Sequence, residues 1–296
     1  VSMVLEIRPN GIAHDEKRGC MNDPAWKSTA RPWRVIGLLT LGLGFAAGNA
    51  PAQDRTITDD EWCDRDGGHD RVSLCEVREW TVHAPGDLAV NAKPNGGISV
   101  KVWDRNEMQV RAKVQSWGES DASAGEILGS VDVTVGGKIA AEGPKSKNKE
   151  GWSVSYRIMV PRNTDLDLGS TNGGITIEGI HGDLRFQTTN GGVHLQNVGG
   201  DVEGKTTNGG LHIALSGDTW AGKGMAVQTT NGGVTLAVPS GYSAHLEVAT
   251  TNGGMSVGFP VTVQGKIDRK LSVDLGDGGP TLKIKTTNGG VRINES

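Results

Sequence analysis

The chain has 296 residues, of which 35% are hydrophobic and 4% aromatic, and its 45 glycines are an unusually large share. Its formal net charge at neutral pH is −4. A mildly acidic chain lacks the excess of Lys and Arg that neutralises a phosphate backbone, so nucleic-acid binding is excluded as the expected function. The length allows one repeat domain and a smaller region beside it.

The first 52 residues predict a leader segment. Residues 1–20 have no clear pattern and are interpreted as translated upstream sequence, with Met21 as the better start. Residues 21–52 have the parts of a secretory signal peptide: basic residues, the apolar run Val35–Ala47 and the cleavage site Ala50–Ala52. The apolar run is too short for a membrane anchor. Cleavage after Ala52 predicts a periplasmic or secreted protein that meets the membrane only during export.

The next segment, residues 53–87, is predicted to be an N-terminal arm pinned by a disulfide. Cys20 is lost with the leader, so Cys63 and Cys75 remain as an even pair in an oxidising compartment. Two free thiols or a metal site are the alternatives, but no second Cys/His pair lies at ligand spacing. Asp64–Asp70 resembles a calcium loop without its bidentate Glu, and is interpreted as solvated.

Residues 88–165 are predicted to form an irregular antiparallel β-region that caps one end of the repeats. Apolar and polar residues alternate in several runs, as they do in strands with one buried face. Asp104–Asn106 is predicted to be a hairpin turn, and residues 117–129 a short helix or a loop. The tryptophans in this part of the chain have two interpretations: they anchor the core, or their rings stack on sugars. They are Trp62, Trp80, Trp103, Trp117 and Trp152.

Residues 166–296 repeat the motif Thr-Thr-Asn-Gly-Gly followed by an apolar residue. Successive Asn residues are 18, 18, 23, 21 and 36 positions apart, which is a period near twenty and is typical of a solenoid. The last, doubled spacing predicts one degenerate turn around Val261–Val273. Ser170–Ile175 is a near copy of the motif, and residues 94–98 keep only its second half. The predicted corner residues are Asn172, Gly173, Asn190, Gly191, Asn208, Gly209, Asn231, Gly232, Asn252, Gly253, Asn288 and Gly289.

Each repeat is predicted to contain two short strands joined by a corner at Asn-Gly-Gly. Positions four and six before the Asn, and three and five after it, are mostly apolar, so the buried faces of the two strands are in phase. Asn-Gly is a tight-turn signal because both residues tolerate a positive φ, and Gly also suits a corner with no room for Cβ. A second corner is expected at Gly182-Asp183, Gly200-Asp201, Gly217-Asp218 and Gly241.

One repeat cannot bury its own apolar face, so the repeats are expected to stack as rungs about 4.8 Å apart. Seven rungs would give a rod of about 34 Å. The Asn side chains and the first Thr hydroxyls are each expected to form a ladder whose members satisfy one another's hydrogen bonds. The fold class is therefore an all-β solenoid. Its stack is expected to end directly after Val291–Asn294, leaving an exposed edge through which the protein self-associates.

Strand pairs punctuated by Asn-Gly-Gly behind a signal peptide resemble the bacterial "putative adhesin" β-solenoid family. The resemblance covers about Leu88–Ser296 and is carried by the repeats from Thr171–Gly174 to Thr287–Gly290. It implies an extracytoplasmic binding or scaffolding role, with an envelope or surface protein or a glycan as the partner. It implies no cofactor and no catalytic residue.

Two other functions stay open. One is a carbohydrate-active enzyme or a carbohydrate-binding module, and the enzyme would need acids or bases grouped on one exposed face. His194 and His212 occupy outward positions four residues after their Asn and would be vertical neighbours. They could bind a metal ion, respond to pH or simply be solvated. An ice-binding surface formed by the second Thr of each motif is a minor alternative, which His and Arg in the next outward column disfavour.

Overall fold

The computed structural model describes residues 54–63, 72–147, 149–260 and 269–296. The predicted leader, residues 1–52, and the Asp-rich segment 64–70 lie outside these ranges. Among the described residues, none of the helices combines the length and the apolar character that a membrane crossing requires.

The described residues form strands and one helix, α1 (Asp121–Gly129). The strands of the first half are β1 (Arg55–Ile57), β2 (Val72–His83), β3 (Asp87–Asn91), β4 (Ile98–Val102), β5 (Glu107–Gly118), β6 (Asp132–Thr134), β7 (Lys138–Glu142), β8 (Gly151–Val160), β9 (Asp165–Gly169) and β10 (Ile175–Glu178). Those of the second half are β11 (His181–Asn190), β12 (Val193–Gln196), β13 (Gly199–Asn208), β14 (Leu211–Ala214), β15 (Gly224–Asn231), β16 (Val234–Val238), β17 (Ala244–Asn252), β18 (Met255–Val257), β19 (Lys270–Leu275), β20 (Thr281–Asn288) and β21 (Val291–Glu295).

The strands build two long sheets. Sheet A has the order β1-β2-β5-β8-β4-β10-β12-β14-β16-β21-β18, and sheet B the order β19-β17-β20-β15-β13-β11-β9-β3-β7-β6. A typical rung is β11 in sheet B, the corner Asn190–Gly192, and β12 in sheet A. Burial alternates along both strands, and the inward residues of the two sheets form one apolar core. The predicted all-β solenoid is confirmed.

The first glycine of each corner has no room for a side chain. A Cβ on Gly191 would lie 2.1 Å from the carbonyl oxygen of Gly173 in the preceding rung, and one on Gly209 would lie 2.0 Å from that of Gly191. None of the corner Asn and Gly residues is among the described residues with positive φ. The predicted need for a residue without Cβ is confirmed, whereas the positive-φ explanation of the Asn-Gly corner is wrong.

The second corner lies elsewhere than predicted in two of four repeats. Gly182-Asp183 and Gly200-Asp201 are inside β11 and β13, where the strands approach one another too closely for a Cβ. The preceding turns have positive φ at Gly179 (75°) and Asn197 (50°), and Gly200 has a φ of 98° within β13. Gly217 (φ 74°) and Gly241 (φ 73°) do lie at corners between strands, as predicted.

The stack begins one rung earlier than the repeats at residue 166. Strand β3 pairs with β9 and β4 pairs with β10, each in parallel register. Asn95 forms a bridge with Asn172, so the partial motif at residues 94–98 is the corner of this first rung.

At the other end the rungs are out of sequence order. Strand β20 lies between β15 and β17, and β21 lies between β16 and β18. The last repeat, with Asn288, is therefore inserted between the repeats of Asn231 and Asn252. Because all three repeats have the same corner, the inserted rung matches the register of both neighbours.

This insertion corrects two predictions. The stack does not end after Val291–Asn294, because β21 is an interior strand of sheet A. The degenerate parallel rung expected around Val261–Val273 is wrong over its described part, since β19 runs antiparallel to β17. The last strands are β18 in sheet A and β19 in sheet B. Residues 261–268 lie outside the described part of the chain.

The N-terminal region extends both sheets. Strands β2, β5 and β8 are antiparallel, and β8 separates β5 from β4. The predicted hairpin at Asp104–Asn106 is therefore wrong: the turn carries the chain past β8 instead of joining neighbouring strands. Residues 117–129 do contain a helix, α1, whose N-cap Ser120 accepts a hydrogen bond from the backbone N–H of Ser123.

The arm is attached to sheet A by covalent and ionic contacts. The structure contains the predicted disulfide between Cys63 and Cys75, whose Cα atoms are 5.7 Å apart. Arg55 forms an ion pair of 2.9 Å with the largely buried Glu79, and Asp60 forms one with Arg111. The guanidinium of Arg157 lies 3.9 Å from the centroid of the Trp62 ring. The disulfide therefore acts together with charge pairing to hold the arm.

The corner contact predicts a sharp difference between adjacent glycines. Gly191→Ala should lower the free energy of unfolding by about 3 kcal/mol, because its Cβ overlaps a backbone carbonyl that cannot move independently of the next rung. Gly192→Ala is the matched control, since its Cβ would meet nothing closer than 3.6 Å. Urea denaturation of the two variants measures the difference, and equal stabilities would contradict the packing explanation.

The rung order can be tested with engineered disulfides. Gln228 and Lys285 are direct neighbours in β15 and β20, so Gln228→Cys with Lys285→Cys should cross-link on mild oxidation. Gln228 and Ala249 are two rungs apart, about 9.6 Å, which exceeds the reach of a disulfide. Gln228→Cys with Ala249→Cys is therefore the control, and mass spectrometry reports both. A cross-link in the control alone would show sequential stacking.

Candidate functional site

The corner Asn side chains form a continuous ladder. In each step the Nδ2 of one Asn donates to the Oδ1 of the Asn in the preceding rung, over distances of 2.7–2.9 Å. The order along the ladder is Asn95, Asn172, Asn190, Asn208, Asn231, Asn288 and Asn252. The predicted Asn ladder is confirmed, but Asn288 lies between Asn231 and Asn252 in it and not at its end.

The first hydroxyl of each motif also links two rungs, but with a different partner from the predicted one. The Thr188 hydroxyl donates to the carbonyl oxygen of Gly173 at 2.9 Å, and the Thr206 hydroxyl to that of Gly191 at 2.8 Å. The equivalent hydroxyls do the same throughout the stack, namely those of Ser170, Thr229, Thr250 and Thr286. The expectation that these hydroxyls bond to one another is wrong, because each corner carbonyl is within reach of the hydroxyl above it.

The polar groups of the motif are therefore hydrogen-bonded to other groups of the protein itself. The Thr hydroxyls are buried, the Asn amides are engaged along the ladder, and the first glycines pack on backbone. The corner residues are therefore structural, and residues available to a ligand must be sought on the outward faces of the two sheets.

His194 and His212 are brought together on sheet A as predicted. They are paired in parallel register, and their rings stack with centroids 4.6 Å apart and planes 7° apart. Burial, and then the charge of His212, lower the pKa of His194 below its ordinary value of 6.5. The neutral form of the His194 ring is therefore favoured.

The surroundings of this pair supply little for a metal ion. Its neighbours in the outward column are Thr176 on one side and Thr235 on the other. The described residues contain no group of three or more His, Cys, Asp or Glu placed to hold a metal. Two imidazoles provide half of the ligands of a typical zinc site. Metal binding by His194 and His212 stays a prediction.

Sheet B has a shallow groove on its outward face. The groove has a volume of about 470 Å³ and crosses β11, β13, β15 and β20. Ala226, an exposed residue with a short side chain, lines it between longer neighbours. Four basic and two acidic residues line it, namely Arg185, Lys205, Lys283 and Lys285 with Asp167 and Glu203. A net positive groove on a negatively charged chain is a local concentration of cations.

The column of residues three positions before each Asn was not singled out from the sequence as a site. These side chains point outward, four of them line the groove, and their identities vary between repeats. In sequence order, from the Asn172 repeat onward, the column reads Gly169, Gln187, Lys205, Gln228, Ala249 and Lys285. In space Lys285 stands next to Gln228 and Ala249 follows it. The variation between repeats could have marked this column as a binding surface from the sequence. The spacing between its lysines could not be predicted, because it depends on the inserted rung.

The tryptophans fulfil mainly structural roles. Trp80 and Trp220 are buried, and the Trp220 indole N–H donates to the carbonyl oxygen of Gly200 at 3.1 Å. The indole N–H groups of Trp103 and Trp152 donate to the backbone carbonyls of Glu107 and Pro144. These contacts favour the core-anchor interpretation over sugar stacking.

The family model that describes these stacked strand pairs matches residues 80–294. The chain belongs to the Toastrack DUF4097 family. The matched range includes β3 and β4, in agreement with a stack that begins before the repeats at residue 166. The Toastrack match confirms the resemblance seen in the sequence. None of the curated proteins matches the chain.

Several crystal structures are similar to this Toastrack chain. One is of a "putative cell adhesion protein" from Clostridium sporogenes, with 13% identity and a TM-score of 0.40, covering 76% of this chain and 100% of the other. Another is of a "putative adhesin" from Bacteroides fragilis, with 14% identity and a TM-score of 0.34, covering 75% and 97%. A third is of a "putative lipid binding protein" from Parabacteroides distasonis, with 9% identity and a TM-score of 0.27, covering 75% and 96%. These low values leave the ligand of this chain open.

The histidine pair predicts a pH dependence of stability. A folded-state pKa below the ordinary value of 6.5 gives stability that is present above that pH and is lost as the pH falls through the folded pKa. The melting temperature of the wild-type protein should therefore fall more on acidification than that of His194→Gln. His212→Gln removes one of the two causes and should reduce the effect partially. Parallel melting curves for all three proteins would contradict the assignment.

Proposed function

We propose that this protein is an exported, non-enzymatic β-solenoid that acts as an adhesin or scaffold in the cell envelope or outside the cell. The observation that carries this proposal is that corner residues and outward residues of each rung have different roles. The corner motif is repeated and engaged internally, whereas the outward columns of both sheets vary from rung to rung. Binding specificity is therefore assigned to the outward columns.

The shape of the outward faces supports recognition of an extended partner. Parallel strands in register place equivalent side chains in columns, with about 4.8 Å between the backbone positions of successive rungs. A chain-like ligand that lies along a column can therefore make repeated contacts. The faces continue over many strands of sheets A and B. An envelope or surface protein or a glycan fits this arrangement.

Export is supported by the chemistry of the arm. The disulfide between Cys63 and Cys75 is typical of proteins that work outside the reducing cytosol. It complements the signal peptide predicted from residues 21–52. We infer a periplasmic or secreted location, which fractionation of cells producing the tagged protein would test.

Self-association through the end of the stack is part of the proposal. Among the described residues, β18 is the edge strand of sheet A at this end of the stack, and its Met255 and Val257 are only half-buried. An unpaired strand edge is a template for pairing with a second copy. Light scattering at high protein concentration measures this association, and a strict monomer would count against it.

The alternatives have distinct readouts. A carbohydrate-active enzyme would release reducing sugars from its polysaccharide, and a carbohydrate-binding module would bind without cleavage. An ice-binding protein would show thermal hysteresis. The second Thr of each motif does form an outward rank, whose members are Thr171, Thr189, Thr207, Thr230, Thr287 and Thr251.

The proposal predicts that blocking one outward face removes binding without unfolding the protein. Ala226→Trp fills the groove of sheet B, and Thr235→Trp is the matched change on sheet A. We expect binding to a glycan array or to isolated bacterial envelopes to weaken about tenfold in one variant, a loss of about 1.4 kcal/mol, with unchanged melting temperatures. Wild-type protein that binds neither surface, or full binding by both variants, would overturn the proposal.

A further inference from the structure

The inserted rung places lysines at every second position of one outward column on sheet B. Direct neighbours in this column are Lys205 and Gln228, then Gln228 and Lys285. Lys285 is followed by Ala249, and Ala249 by Lys270 of the antiparallel strand β19. We call this the lysine column: Gln187, Lys205, Gln228, Lys285, Ala249 and Lys270.

The spacing of its charges is regular. Two rungs separate Lys205 from Lys285, and two more separate Lys285 from Lys270, so successive ammonium groups start from backbone positions about 9.6 Å apart. With sequential stacking, Lys205 and Lys285 would lie further apart. The regular spacing of the lysines therefore depends on the insertion of the last rung.

The three lysines are open to an external anion. All three are exposed, and no described residue forms an ion pair with them. The neighbouring column differs, because Lys283 there is paired with Glu247 at 3.2 Å. A cation with no ion-pair partner in the described part of the chain can bind an external carboxylate with less competition.

The groups beside the lysines are those that hold sugars. Gln187 and Gln228 stand on either side of Lys205 and present amide donors and acceptors. Toward the corner, the next outward rank consists of threonine hydroxyls, including Thr207, Thr230 and Thr287, which are exposed. Amides and hydroxyls at each rung can exchange hydrogen bonds with a polyhydroxylated chain.

We propose that the lysine column binds a linear acidic polysaccharide that lies along the stack and carries one carboxylate per disaccharide. This proposal rests on the proposed binding function and adds its ligand class. Each lysine pairs with one carboxylate, because two extended sugar units have nearly the length of two rungs. The Gln and Thr side chains contact the hydroxyls of the intervening sugars.

The same features disfavour a nucleic acid as the occupant. A nucleic acid needs cations along each phosphate backbone and aromatic platforms for unstacked bases. The lysine column instead has a single file of separated cations beside hydroxyls, on a chain with net charge −4. Charge attraction alone would therefore not select a polynucleotide here.

The test uses a hyaluronan decasaccharide, in which glucuronate alternates with a neutral sugar, and isothermal titration calorimetry of the whole protein. Wild-type protein should bind it, and should bind the same oligosaccharide with reduced carboxylates much more weakly. Lys205→Gln with Lys285→Gln should weaken binding about tenfold, since two exposed ion pairs are lost. Lys205→Arg with Lys285→Arg should retain most of the affinity.

The matched control is Lys145→Gln with Lys147→Gln, which removes the same charge from exposed positions outside the column. This control should bind like wild type. Equal losses in both Gln variants, binding that survives carboxylate reduction, or equal affinity for a single-stranded oligonucleotide would each overturn the proposal. If the decasaccharide fails to bind but another surface glycan binds, only the ligand class is wrong. If none binds and envelopes are not bound, the proposed function fails as well.

Discussion

The structure depends on the close backbone contact between successive corners. A Cβ on the first glycine would lie about 2 Å from the glycine carbonyl of the neighbouring rung, so only glycine allows the rungs to approach there. That approach brings the same carbonyl within reach of the buried Thr hydroxyl and places Asn beside Asn. One steric requirement therefore sets the register of both sheets, since a slipped strand would lose the packing, the hydroxyl bond and the amide ladder together.

Because every corner makes the same contacts, the rungs are interchangeable at their interfaces. The repeat of Asn288 pairs with the repeats of Asn231 and Asn252 through the same amide bonds that join sequential rungs elsewhere. The corners consequently do not specify rung order. Order must be decided by the connections and by strand β19, which covers β17 in antiparallel register and occupies the position of a further parallel rung.

This separation of roles bears on function. The corner residues stabilise the stack through their own contacts. The residues of the outward columns can therefore vary without a change in strand register. The insertion then determines which outward residues become neighbours. Lys205, Lys285 and Lys270 come from three separate parts of the sequence, yet they stand at alternate rungs of one column. A change in rung order would alter that surface while leaving the core almost the same.

The sequence by itself determined the fold class, the rung with its two strands, the Asn ladder, the disulfide partners and the placing of His194 and His212 as neighbours in one column. Each of these follows from local periodicity, from an even pair of cysteines or from corners that repeat in register. Only the tertiary structure decided that Asn95 opens the stack, that β8 separates β4 from β5, and that the last rung is inserted. These features depend on which of several equivalent strand edges a segment reaches. For the inserted rung, local pattern cannot distinguish such edges, because identical corners give each of them the same hydrogen bonds and the same steric fit.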